Sequence, residues 1–182
     1  MALLLWISVG APLAAAVLTR FAPRADGVVA SAGALAAAAP AWLLLVAAAD
    51  GERARSVFEW LPAGGLDAGL RLDGLSAAMA ATVATVGLAV VVYSTGYFGA
   101  DPRRRSALAG LLAFLAAMQG LVLADGYLTL LVFWELVGAA SARLIASSRQ
   151  APDAPAGAVR AFLTTRTADI GLYLAVLVLF AA

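Results

Sequence analysis

Gly126-Tyr-Leu-Thr-Leu-Leu-Val-Phe-Trp-Glu-Leu-Val-Gly-Ala-Ala-Ser-Ala142 is the stretch that decides the fold. With its flanks it is long enough to cross a bilayer, which takes about 17–25 predominantly apolar residues. One carboxylate, Glu135, stands near the middle of this otherwise apolar run. An acidic side chain at the centre of a spanning helix costs roughly 2.5–3.5 kcal/mol on insertion scales. Anchoring in lipid requires no such residue, so Glu135 reads by default as a proton or ion site.

The rest of the chain also reads as dissolved in lipid. Of its 182 residues 64% are hydrophobic, with a mean hydropathy of +0.95, whereas soluble domains are roughly 45–50% apolar. A soluble enzyme is thereby excluded. Stretches of spanning length run over 2–19, 27–49, 75–98, 106–124, 126–147 and 161–181. The expectation is an all-α, multi-pass integral membrane protein of about six transmembrane helices. Residues 1–74 form an N-terminal segment of two helices plus a loop, and residues 75–182 begin a second, four-helix unit.

All 12 basic residues are arginines, and their placement sets an expected orientation. With the N-terminus outside, Arg20, Arg24, Arg103, Arg104, Arg105, Arg149 and Arg160 face the cytoplasm, and Arg53, Arg55 and Arg71 face out among several carboxylates. The excess of arginine on one side fits N-out, C-out. The first span has no basic segment ahead of it and reads as a retained helix. In the 50–74 loop, Ser56–Leu61, Pro62-Ala-Gly-Gly and Leu66–Leu72 read as strand, turn and strand, a small outer β-hairpin, with a plain amphipathic loop as the alternative. Pro102-Arg-Arg-Arg and Arg149–Pro155 read as turns, the former a topology anchor or an anionic-lipid contact. The second span is rich in Ala and Gly, which suits close helix packing, and Pro40 is a candidate kink.

Composition also bounds the chemistry. Cysteine and histidine are both absent, so disulfides are excluded, and haem, iron–sulfur and zinc sites lack their usual ligands. No metal and no cofactor is expected on this chain; any redox chemistry lies on another subunit. The net charge of +1 gives no reason to expect nucleic acid.

Glu135 is flanked by Trp134 and Gly138, the glycine leaving room for a neighbouring helix or water. Burial in lipid favours the neutral acid and a nearby cation favours the carboxylate, so proton occupancy can follow the approach of the cation. A permanently protonated Glu in an interhelical hydrogen bond is the alternative. Arg166 and Asp169, in Thr164-Thr-Arg-Thr-Ala-Asp-Ile-Gly, share one helical face at i,i+3. They read either as a rim ion pair or as part of a polar path to Glu135, one to two turns into the sixth span. Asp125 reads as a turn residue and helix N-cap. Arg143, eight residues beyond Glu135, reads as snorkelling to the interface rather than pairing with it.

Leu72-Asp-Gly-Leu-Ser, Tyr93-Ser-Thr-Gly-Tyr-Phe, Leu123-Ala-Asp-Gly-Tyr-Leu leading to Phe133-Trp-Glu-Leu-Val-Gly, and Ala161-Phe-Leu-Thr-Thr-Arg-Thr-Ala-Asp-Ile-Gly occur in that order. Together they resemble the N-terminal part of the antiporter-like subunit L (chain 5) of proton-pumping NADH:quinone oxidoreductase, complex I, and related subunits of cation/proton antiporters and membrane hydrogenases. The resemblance implies that Glu135 is the family's essential fifth-helix glutamate and a proton carrier. It places Arg166 and Asp169 on the family's sixth-helix Arg-x-x-Asp-x-Gly element. It further implies a lysine on the following interrupted helix as the partner of Glu135; the sequence stops at Ala182, ahead of that position. Arg143 stands where the family usually has an apolar residue.

The expected role is proton translocation, with sodium as the other candidate ion, in a bacterial plasma membrane complex. The other membrane subunits are the partners, and NADH, flavin, iron–sulfur clusters and quinone are expected on partner subunits. A cation/proton antiporter or membrane hydrogenase is the alternative assembly, and a structural membrane piece without transport is the alternative of another class.

Overall fold

In a computed structural model, described here for residues 1–61, 66–147 and 153–181, the chain forms six long helices and one hairpin. The order is α1 (Ala2–Phe21), α2 (Asp26–Ala49), β1 (Ala54–Leu61), β2 (Leu66–Leu72), α3 (Gly74–Tyr97), α4 (Arg104–Val122), α5 (Tyr127–Ala146) and α6 (Ala154–Ala181). Each helix is long and apolar enough to span a membrane. The protein is a multi-pass, helical membrane protein.

α4 is the hub, buried along most of its length and packed against α1, α2, α3 and α5. Small residues make this packing close. A Cβ on Gly33 of α2 would lie 2.1 Å from that of Ala15 in α1, and Ala34, Ala37 and Ala41 beside it are fully buried. The Ala-rich face of the second span is therefore a close-packing face, while Val28, Leu35, Trp42 and Leu43 on its other side stay exposed. α2 runs without interruption through Pro40. By contrast, α5 buries only Thr129 among the described residues, and α6 packs on α5 alone among its stronger contacts.

The hairpin is antiparallel, with Ala54 opposite Leu72 and Phe58 opposite Ala68. The expected turn at 62–65 lies outside the described residues, as do 148–152 of the turn expected before the last helix. The hairpin is sewn to the bundle. The Asp125 N–H donates to the Gly69 carbonyl and the Arg71 N–H to the Leu123 carbonyl, both at 2.8 Å, so the α4–α5 junction lies along β2 like a short third strand. Gly69 N–H donates to Thr129 Oγ1 at 3.0 Å, and Trp6 Nε1 to Ser56 Oγ at 2.9 Å.

Leu72-Asp-Gly-Leu-Ser has a local physical role. Asp73 caps α3, its carboxylate accepting from Ser76 N–H while Ser76 Oγ accepts from Asp73 N–H, each at 2.8 Å. The bond from the Ser76 backbone holds the Asp73 carboxyl below the usual carboxylate range.

Two expectations need correction. Asp125 does not cap α5. Gly126 occupies the cap position with φ +98°, a backbone region that favours glycine, and Asp125 instead forms an ion pair with Arg55. That hydrogen bond, and then the attraction between the two charges, raises the Arg55 guanidinium above its ordinary value. The sixth helix also begins at Ala154 rather than near 161. Pro155 in its first turn lacks only an N–H that has no helical partner there, so Arg160 lies inside the helix and not in a loop.

Candidate functional site

Glu135 sits nine residues into α5 and eleven from its end, roughly 13 Å and 17 Å along the axis. Its neighbours come from α6. Phe162, Arg166, Asp169 and Tyr173 recur at i, i+4, i+7 and i+11, one face of that helix, and this face lies on the turn of α5 that carries Trp134, Glu135 and Gly138.

The Arg166 guanidinium forms an ion pair with the Glu135 carboxylate and also donates to the Glu135 backbone carbonyl at 3.2 Å. Tyr173 Oη donates to the same carboxylate and accepts from Arg166 at 3.1 Å. Gly138 makes room for this, since a Cβ there would stand 3.2 Å from Arg166 Nη2. The space that the sequence left for a helix or water holds a guanidinium. Phe162 supports it from below, 4.6 Å from ring centroid to guanidinium carbon, a cation–π contact.

Asp169 is held apart from this pair. Its carboxylate accepts from Trp134 Nε1 at 2.8 Å and stands 3.9 Å from Arg166, beyond hydrogen-bond length. Arg166 thus lies between two carboxylates, bonded to the one across the helix interface and near the one on its own helix. Its Nε is buried without a partner among the described residues. Arg143 is exposed and donates to Ser106 Oγ at 3.2 Å, with no contact to Glu135.

Arg166 is the charge that stays. Its guanidinium is effectively always protonated, so it can hold or release a carboxylate but supplies no proton itself. Glu135 can exchange one, and Tyr173 ties the two together. Sequence reasoning missed Tyr173 and the Trp134–Asp169 bond. The first had a signal, seven residues beyond Arg166 on the same face; the second depends on how α5 is rotated against α6, which periodicity does not encode.

A family model described as NADH-Ubiquinone oxidoreductase (complex I), chain 5 N-terminus, matches residues 60–106. A second, described as NADH:quinone oxidoreductase/Mrp antiporter, TM, matches residues 124–182 and contains Glu135, Arg166, Asp169 and Tyr173. The chain belongs to this antiporter-like subunit family. NADH-quinone oxidoreductase subunit L of Mycobacterium tuberculosis is 41% identical over 178 residues, covering 92% of this chain. The chain spans 28% of that relative's length. NAD(P)H-quinone oxidoreductase chain 5 of Synechocystis sp. is 38% identical over 126 residues, 68% of this chain and 18% of the relative. Among solved structures of similar fold, the Mrp complex from Dietzia sp. aligns with TM-score 0.74 and 29% identity over 91% of this chain and 18% of the other. An archaeal membrane-bound sulfane sulfur reductase aligns with TM-score 0.77 at 23% identity, covering 98% of this chain and 28% of the other, a likeness of fold. These antiporter-like relatives are subunits of multisubunit membrane complexes.

Proposed function

We propose that the chain is the N-terminal portion of a proton-translocating antiporter-like subunit of an NADH:quinone oxidoreductase-type complex, with Glu135 as proton carrier and Arg166 as its electrostatic partner. The observation that carries this reading is the Arg166–Glu135 ion pair between two spanning helices, bridged by Tyr173. An ionisable pair at membrane depth is costly, and such pairs mark ion and proton paths by default. When Arg166 retreats toward Asp169, Glu135 loses its neutralising charge and takes up a proton; when Arg166 returns, the proton leaves. Asp169, kept in place by Trp134, receives the displaced guanidinium. NADH, flavin, iron–sulfur clusters and quinone would sit on partner subunits, and the chain would lie N-out, C-out in a bacterial plasma membrane. Protons are the proposed ion, with sodium as the other candidate.

Glu135→Gln in the assembled complex tests this. It keeps size and hydrogen bonding but cannot exchange a proton. The expected outcome is loss of proton pumping with the chain still inserted; pumping at the unsubstituted rate would leave only a structural role. The Mrp likeness at 29% identity supports a second reading, a subunit of a cation/proton antiporter with the same carrier. Co-purifying subunits separate the two assemblies, since a quinone-reducing complex brings redox subunits and an antiporter does not.

A further inference from the structure

A second feature of the bundle stands apart from the Glu135 site. α1, α4 and α5 together line an open, almost wholly apolar groove of about 260 Å³. Val9 and Leu13 of α1, Gly110 and Ala113 of α4, and Ala140 of α5 are among its walls, and Arg143 closes one end. Along α5 the lining runs from Phe133 to Arg143, roughly 15 Å of helix.

The closed end, opposite the hairpin, gathers positive charge. Arg143 donates to Ser106 Oγ of α4 at 3.2 Å. Arg103 stands three residues before Ser106, and Arg20 seven residues after Leu13. The first spacing puts Arg103, the N-cap of α4, one turn before the residue that Arg143 binds, and the second keeps Arg20 on the groove side of α1. All three are exposed, and none forms an ion pair among the described residues. Of the carboxylates beside the start of α4, Asp26 holds Arg104 at 3.3 Å, and Asp101 accepts from the Arg103 backbone N–H at 2.8 Å.

We propose that this groove binds one acyl chain of an anionic phospholipid, whose phosphate sits among Arg143, Arg103 and Arg20. Leu13 and Leu136 on its walls are about half exposed, so the groove opens sideways onto the lipid phase. The apolar walls give a free phosphate nothing to contact beyond the charged end. An acyl chain matches the apolar walls, and three exposed guanidinium groups that form no ion pair among the described residues favour an anionic headgroup over a zwitterionic one.

The test uses the protein purified from its own membranes with its accompanying subunits. It is equilibrated with equimolar phosphatidylglycerol and phosphatidylcholine, and the lipid retained after washing is counted by mass spectrometry. Phosphatidylglycerol should be retained in preference. Arg143→Gln should lower its retention roughly fivefold, the factor one basic residue near an anionic lipid surface supplies, and leave phosphatidylcholine unchanged. Ala140→Phe, which fills the groove and keeps the arginine, should lower phosphatidylglycerol as well. Arg20→Gln, on a different helix, gives the charge test if the α5 variant does not insert. Equal retention of the two lipids, retention that survives both kinds of substitution, or a groove that exchanges no lipid because another helix fills it would each overturn the proposal.

Discussion

Tyr173 reaches Glu135 from two turns beyond Arg166, with its hydroxyl bonded to both. It touches the proposed proton carrier without being able to replace it, so the role proposed for it is positioning. A hydrogen bond to a charged group is worth about 1.5–3 kcal/mol, and about 1.4 kcal/mol is a factor of ten in rate. Tyr173→Phe should therefore slow proton transfer by about tenfold while insertion and assembly hold. In a Glu135→Gln background the same substitution should cause no further loss. A lowered thermal midpoint of the Tyr173→Phe protein, with pumping at the unsubstituted rate, would show that Tyr173 acts on packing alone. Glu135 itself was legible because a lone carboxylate in an apolar run is conspicuous. Asp125 was misread because an Asp before a helix is so often a cap; Gly126 takes that position instead, and the partner of Asp125 lies 70 residues away at Arg55.

At the scale of helices, the α4–α5 contact depends on an absent side chain. A Cβ on Gly120 would stand 2.2 Å from the Phe133 ring, two residues before Glu135. Gly120→Ala should cost about 1–3 kcal/mol through overpacking, seen as a lower thermal midpoint of the purified protein. Phe133→Leu should recover much of it in the double variant. If Gly120→Ala alone leaves the midpoint unchanged, the ring moves aside freely and α5 is not seated there. Hydropathy found all six helices, since length and apolarity are what spanning demands. It placed the start of α6 late because Ala154–Arg160 is too mixed to register as lipid-facing. Rotation of one helix on another was not legible, and Tyr173, Trp134 and Asp169 meet through that rotation.

For the molecule as a whole, the question is what joins the hairpin to the bundle. The Arg55–Asp125 pair is the obvious candidate, yet Arg55 is 69% exposed and solvent screens such a pair, leaving it little weight. The Gly69 N–H bonded to Thr129 is buried, and stranding a buried donor costs about 1–3 kcal/mol. Asp125→Ala should thus shift the thermal midpoint little and Thr129→Val clearly more, and the reverse order would make the ion pair the true fastening. Thr129 lies six residues before Glu135 on α5 and is the one buried residue of that helix among those described. The hairpin consequently works as a handle: a binding protein that grips it from the water would pull on the same rod that carries Glu135, without ever entering the lipid.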